Sequence, residues 1–279
     1  MKNYEQIVQD LIGEHTASPN DILGVGNTEG ERRYLQMLRG SYVRTVSDVD
    51  RLCASFRTGG RLLEIGSSLG CVSFALKRVG YSVFALDIPE FHNSPKLRAA
   101  YDRHSVPFCG VNLRHGRLPY ESESFDMVIM CEVIEHLNFN PLPTLMEINR
   151  VLKVGGYLYI GTPNQSRLAN RLRAMAGRSF HNPIEDFFAQ LGNSRNMLVG
   201  LHWREYTLGE MLEMLEKMGF EVTQRYFYQD WNHSSSANIF WRLGQRIASM
   251  IPSFRTFQVL VAKKKCTCDR KFTFTEANS

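Results

Sequence analysis

The feature that most constrains this chain is the stretch Arg61-Leu-Leu-Glu-Ile-Gly-Ser-Ser-Leu-Gly70, with Asp87 closing the next apolar run. A short apolar strand, Leu62 to Ile65, runs straight into a glycine turn. That turn opens a helical pattern with Val72, Phe74, Ala75, Leu76 and Val79 as its apolar positions and Gly80 as its stop signal. A second strand, Tyr81 to Asp87, follows at once. Strand, glycine turn, helix, strand and terminal acid predict the first half of a nucleotide-binding βαβ unit. The glycines read Gly66-x-x-x-Gly70, with Ser68 where a G-x-G-x-x-G loop would carry its second glycine. The turn therefore suits a ligand lying across it better than a pyrophosphate docked on the helix end. Asp87 offers two acceptor oxygens, the complement of a ribose diol. Taken alone, a glycine turn before a helix is also compatible with a simple tight connection.

The rest of the chain alternates in the same way. Residues 1–58 read as a helical segment, with one apolar stripe at Ile7, Val8, Leu11 and Ile12 and another at Tyr34, Leu35, Leu38, Tyr42 and Val46. A break at Ser18-Pro-Asn20 and Gly24-Val-Gly26 separates them. A main domain spans 59–263. It adds a helix from Ser94 to Tyr101, strands at Phe108–Val111 and Phe125–Met130, a helix begun by Pro141 and Pro143 and ended at Gly155-Gly156, and a strand at Tyr157–Ile160. Residues 165–204 exceed an ordinary connection and read as an inserted helical cap. The cap holds six arginines against Glu185 and Asp186, a local excess of four positive charges. Thr207-Leu-Gly-Glu210 is a capping box for a helix that Gly219 stops. A strand at Glu221–Tyr228 follows, then a helical insertion at 232–255 built on an amphipathic run from Asn238 to Met250, a last strand at Thr256–Ala262, and a basic, then polar, tail over 264–279. Strands alternating with helices predict an α/β, doubly wound sheet.

Composition narrows the classes. A chain of 279 residues, 43% hydrophobic, can bury one large core. A net charge of +5 is modest for this length and does not by itself point to nucleic acid, whose partners usually show a concentrated basic face. No nucleic-acid partner is expected. The six cysteines are scattered, and Cys266-Thr-Cys268 lacks a second ligand pair, so neither a disulfide framework nor a zinc site is predicted and a reduced, cytoplasmic setting is expected. No run reaches the roughly 18 apolar residues of a bilayer span, and the first residues carry no signal-peptide block.

Taken as an ordered set, the motifs carry more. Leu63-Glu-Ile-Gly66 with Gly70, Asp87, Asn112-Leu113, Leu118-Pro-Tyr120, Ser124-Phe-Asp-Met-Val128, Cys131-Glu-Val-Ile-Glu-His-Leu137, Glu147 to Leu152, Gly161-Thr-Pro-Asn164, His202-Trp-Arg-Glu-Tyr-Thr207 and Lys217-Met-Gly-Phe220 follow one another in order. Over about residues 60–228 and the last strand, the chain resembles class I S-adenosylmethionine-dependent methyltransferases of the ubiquinone-type O-methyltransferase subgroup. The resemblance implies a seven-stranded Rossmann-like sheet whose last strand is antiparallel, with N-terminal helices either over the cofactor pocket or packed on the sheet. It implies S-adenosylmethionine as cofactor, held by Glu64, Gly66, Ser67, Ser68, Gly70, Asp87, Ile88, Asn112, Leu113, Cys131 and Glu132. Asn112 stands where the family often carries Asp, and its amide oxygen can still accept from an adenine amino group.

For catalysis, His202 is the foremost base candidate and His136 the second. Glu132, Glu135 and His136 sit near one side of a predicted helical turn. Three readings stand for them: contact with cofactor or acceptor, a structural cap on the following loop, or a divalent-metal site, and no metal ligand is assigned. His202 is otherwise a surface loop histidine. Arg204 and Tyr206 either bind an anionic or sugar-like substrate or fasten the cap. The arginines of 166–178 interleave with Leu168, Leu172 and Met175, which fits a phosphorylated or lipid-carrier-linked substrate, peripheral contact with an anionic membrane, or a solvated helix face. The expected reaction is O-methylation of a small or carrier-linked hydroxylated molecule. The competing reading is a non-catalytic protein that keeps the fold and binds the cofactor or a partner. A nicotinamide dehydrogenase is disfavoured by Ser68, and a nucleic-acid amino-methyltransferase by Cys131-Glu-Val133 where a Pro-Pro-Tyr type motif would stand. The oligomeric state has no sequence signal.

Overall fold

The computed structural model describes residues 2–17, 27–54, 60–115, 117–191, 201–229, 246 and 249–268. In chain order its elements are helices α1 (Tyr4–Glu14) and α2 (Thr28–Cys53), strand β1 (Arg61–Ile65), α3 (Cys71–Val79), β2 (Ser82–Asp87), the short α4 (Pro89–His92), α5 (Pro95–Arg103), β3 (Phe108–Gly110) and β4 (Phe125–Cys131). A 3-10 turn (Ile134–His136) leads to α6 (Leu142–Val151), β5 (Leu152–Pro163), α7 (Leu168–Met175), α8 (Ile184–Leu191), α9 (Leu208–Lys217), β6 (Phe220–Tyr228) and β7 (Phe257–Lys264). The expected break at Ser18–Gly26, most of the 238–250 helix, residues 192–200 of the cap and the tail from 269 lie outside the described residues.

The strands form one sheet in the order β3-β2-β1-β4-β5-β7-β6, with β7 antiparallel to both of its neighbours. This is the doubly wound arrangement expected from the alternation of strands and helices. The central strands β1 and β4 are buried along most of their length because both faces are covered. Leu62, Met127 and Ile129 pack under α1, α2 and α3, against Val8, Val46, Val49 and Leu76. Leu63, Val128 and Met130 face the other way, into Leu145, Ile148, Met211 and Leu215 of α6 and α9. The order changes direction between β1 and β4, which opens a crevice beyond their carboxyl ends. The described helices include none long and apolar enough to cross a membrane.

Two boundaries differ from the sequence reading. Helix α6 stops at Val151 rather than at Gly155-Gly156, because Leu152 already pairs with Phe125 of β4. The glycines instead form an irregularity inside β5, where pairing jumps from Phe125–Leu152 to Met127–Tyr157 and Gly155 takes a positive φ of 82°. Two glycines after a helix look like a stop signal, but here they absorb extra length in a strand. The last strand also runs on through Lys264. That side chain is buried and donates from Nζ to the Leu152 carbonyl at 2.8 Å, while Asn149 holds Cys266 and Cys268 by their backbones.

Local signals are met elsewhere. Gly80 ends α3 in the left-handed conformation, Ser94 caps α5, and Thr207 and Glu210 form the reciprocal capping box of α9.

Candidate active site

The crevice holds a cavity of about 260 Å³ built from the ends of four strands together with residues of α2 and α4. Gly66 and Ser68 come from the turn after β1, Asp87 and Ile88 from the end of β2, Asn112 and Leu113 from the segment after β3, and Glu132 and His136 from the segment after β4. Eight sequence-predicted site residues therefore line one cavity. Phe91, Val111, Val133, Leu137 and Phe139 supply its apolar lining, and Tyr34 of α2 closes it from above. Tyr34 was absent from the sequence-level site, since its position in an apolar stripe marked it only as core. Further along α2, Val46, Val49 and Cys53 pack on the sheet, so one helix both roofs the cavity and covers the core.

The turn is shaped by its glycine. Gly66 has φ +75°, and a Cβ at that position would run into the side chain of Val133 on the opposite wall. Backbone and wall thus approach closely enough to leave a slot. Ser67 and the Leu86 carbonyl brace the turn from behind: Tyr101 of α5 donates to Ser67 Oγ at 2.7 Å, and Ser67 N–H donates to Leu86 O at 3.2 Å. Glu64, Ser67, Gly70 and Cys131 are not among the cavity walls. Glu64 is buried and accepts from Ser73 on the first turn of α3, and burial pushes its pKa up to about 8.

Asp87 is the electrostatic centre of the cradle. Its Oδ2 accepts from Ser68 N–H at 2.6 Å and its Oδ1 from Ile88 N–H at 2.7 Å. Burial raises its pKa to about 6, against the lowering effect of those two donors. Each oxygen keeps a lone pair for a ligand hydroxyl. Asn112 accepts from Arg114 N–H through its Oδ1 at 3.0 Å, with one lone pair likewise remaining.

The segment after β4 divides its polar residues. Glu132 adopts φ +54° and lines the cavity with His136. Glu135 turns into the body instead, because a 3-10 turn at three residues per turn sends it to a different side. It is fully buried, accepts from Thr162 Oγ1 at 2.9 Å, and its backbone carbonyl accepts from Trp203 N–H at 2.7 Å. This docks the end of the cap onto the strand edge.

His202 stands behind His136, with ring centroids 4.9 Å apart and nearly perpendicular planes. His136 Nδ1 lies 2.8 Å from the Leu201 carbonyl, which requires the proton on that nitrogen, so that in the neutral ring it is Nε2 that carries the lone pair. His202 Nδ1 lies 3.1 Å from Glu205, a buried carboxylate that also receives Asn170 at 2.9 Å and Arg167 at 3.2 Å. Burial pushes the Glu205 pKa up, but His202, Arg167 and Asn170 outweigh it and hold the group below the usual carboxylate range. One donor atom each from Glu135, His136 and His202 lies within 4.8 Å of the others, a mixed imidazole and carboxylate set of the kind that binds divalent transition metals. Arg204 pairs with Glu210 at 2.7 Å and stacks over Tyr206, whose own ring is buried. Both residues fasten the cap to α9. On α7, Leu172 and Met175 are exposed beside Arg171 and Arg173.

Known proteins share this frame. The family described as a methyltransferase domain matches residues 63–160, from the middle of β1 to β5. A protein of Mycolicibacterium smegmatis described as a probable S-adenosylmethionine-dependent methyltransferase is 32% identical over 170 residues, 60% of this chain and 54% of that one. The chain carries a methyltransferase domain. It is also similar to the ubiquinone biosynthesis O-methyltransferase of Roseobacter denitrificans, 31% identical over 145 residues, 49% of this chain and 57% of that one. The chain thus spans just over half the length of these curated relatives. Among solved structures, the methyltransferase domain has the fold of the magnesium protoporphyrin IX methyltransferase of Synechocystis, determined with bound S-adenosylhomocysteine, at a TM-score of 0.54 and 14% identity, covering 83% of this chain and 87% of that one. It also has the fold of a methyltransferase of Methanosarcina mazei, at 0.53 and 19%, covering 77% and 96%.

Proposed function

We propose that this chain transfers the methyl group of S-adenosylmethionine to a hydroxyl oxygen of a small or carrier-linked acceptor. The observation that carries the reading is the meeting, around one cavity, of the Gly66 slot, the Asp87 carboxylate and the His136 imidazole. The cofactor supplies an electrophilic methyl on a positively charged sulfur, so the leaving group departs neutral.

The protein's part is placement and proton transfer. The Gly66–Ser68 backbone forms the floor of the slot, and the free lone pairs of Asp87 accept from a ribose diol. Ile88 and Leu113 offer apolar contact to a purine. His136 Nε2 takes the proton of the acceptor hydroxyl as the oxygen lone pair forms the new bond to carbon and the carbon–sulfur bond breaks. The Leu201 carbonyl keeps His136 in the required tautomer, and His202, oriented by Glu205, presents a second imidazole at the back of the first. The similarity to ubiquinone-type O-methyltransferases supports an oxygen acceptor.

A second reading rests on the convergence of Glu135, His136 and His202. Those three side chains suit a divalent cation, which would act as a Lewis acid toward the acceptor oxygen.

Transfer of labelled methyl to a panel of hydroxylated metabolites tests both readings. His136→Gln is expected to slow turnover by about 10²–10⁴-fold with cofactor affinity within a few-fold of the parent. Unchanged turnover in that variant refutes the assigned base. Activity abolished by chelator and restored by Mn²⁺ or Zn²⁺ selects the metal reading. Cofactor binding without methylation of any panel member favours the non-catalytic alternative.

A further inference from the structure

One face of α2 leads away from the cofactor cavity toward the far end of the sheet. Tyr34, Ser41, Arg44, Thr45 and Asp48 follow one another along it at helical spacing. Tyr34 roofs the cavity, and Arg44, ten residues on, is about 15 Å further along the axis. There Arg44 lies over the ring of Tyr228, its guanidinium carbon 3.4 Å from the ring centroid. Ser41 Oγ is 3.3 Å from the Tyr228 hydroxyl, and Phe257 stacks against the Tyr228 ring at 5.1 Å.

Among the described residues this guanidinium has no ion-pair partner. Arg44 is half-buried and its Nη1 is sealed from solvent without a hydrogen-bond partner. The nearest carboxylate on its own helix, Asp48, is already taken by Tyr159, Tyr226 and Arg51. Among the described residues Arg44 makes neither an ion pair nor a hydrogen bond. Burying part of a cation without partners is unfavourable, and a bound anion is one arrangement that would offset it. Stacking on the phenol ring fixes the guanidinium plane, so that donors on the exposed part of its edge can meet an oxyanion in fork geometry.

Position assigns the ligand. Tyr228 ends β6 opposite Phe257, which pairs with Pro163 at the end of β5, so the group stands on the same carboxyl edge as the cavity. In the sheet order it lies on the β4 side of the switch point, four strands from β1 and about 19 Å across at ordinary strand spacing. Glu132, on the cavity wall, is close enough to act on the Tyr228 hydroxyl electrostatically. Arg44 thus stands at the carboxyl edge on the β4 side, away from the turn after β1.

We propose that Arg44, stacked on Tyr228 beside Ser41, is an anion-binding subsite for the acceptor, which therefore carries a carboxylate or phosphate in addition to the hydroxyl that is methylated. The inference rests on the methyltransferase reading and narrows its substrate class. The test titrates three probes, benzoate, phenyl phosphate and benzyl alcohol, onto protein saturated with S-adenosylhomocysteine, in the parent, Arg44→Met and Arg44→Lys. At least one anionic probe is expected to bind the parent at least about tenfold more tightly than benzyl alcohol, and which one does so separates carboxylate from phosphate. Arg44→Met is expected to lose that preference and Arg44→Lys, which keeps the charge without the fork, to keep part of it. S-adenosylhomocysteine affinity should stay within about twofold in all three proteins, which also reports that the variants fold. No anion preference in the parent, or one that survives in Arg44→Met, overturns the proposal. So does a loss of S-adenosylhomocysteine affinity in a folded Arg44→Met protein, since the guanidinium would then serve the cofactor's own carboxylate. Failure of the parent to bind S-adenosylhomocysteine refutes the underlying functional reading, and this one with it.

Discussion

Asp87→Asn is the perturbation that bears most directly on the cofactor cradle. The carboxylate has both oxygens on backbone donors and a pKa raised by burial from 3.8 to about 6. A group with that pKa is about nine-tenths ionised at pH 7 and about one-tenth at pH 5. If ribose hydroxyls donate to the ionised form, apparent cofactor affinity falls about tenfold between pH 7 and pH 5. The sign for the unliganded fold is the opposite. An acid whose folded pKa is raised favours the folded state below 3.8, and that contribution, about 3 kcal/mol for a shift of this size, is lost as pH rises through about 6. A ligand that donates to Asp87 offsets this loss. In Asp87→Asn one oxygen becomes an amine, which must face either the Ser68 or the Ile88 N–H, and the charge-assisted bonds to the diol are gone. At roughly 1.5–3 kcal/mol for one such bond, affinity at pH 7 should drop at least about tenfold. The part of the pH slope due to Asp87 should vanish. Calorimetry with S-adenosylhomocysteine at pH 5, 6, 7 and 8 measures both effects. Parent-like affinity at pH 7 in Asp87→Asn, or an unaltered pH slope, refutes the reasoning.

Gly66→Ala should destabilise the domain by at least about 1 kcal/mol from its left-handed backbone alone, before the collision with Val133. Adding Val133→Ala should recover only the collision, so a double-mutant cycle in denaturant shows partial rescue; full rescue, or none, contradicts the slot geometry. Thr207→Ala removes half of a capping box that starts a helix burying Met211 and Leu215, and should lower stability by about 1 kcal/mol. An unshifted denaturation midpoint contradicts that role.

Much of the candidate site was legible because its signals are local. A strand ending at Ile65, a glycine that must take positive φ, a helix stopped at Gly80 and an acid at the tip of the next strand each depend on a few consecutive residues. Order along the chain then carries Gly66, Asp87, Asn112 and Glu132 to one edge, because parallel strands joined by crossovers end on the same side. The same logic misread Gly155-Gly156, where a local stop signal was overridden by pairing of Leu152 with a strand 27 residues earlier.

The sequence by itself determined the alternation, the turn and the acid, since these follow from side-chain period and backbone allowance. Tertiary structure alone decided which side chains meet: Tyr34 over the slot, Glu205 behind His202 and near Arg167, Glu135 turned inward to Thr162, and Arg44 on Tyr228, 184 positions away. Such partnerships leave no periodic trace, because the free energy that selects them is the desolvation of a polar group against a neighbour brought there by the packing of the whole sheet.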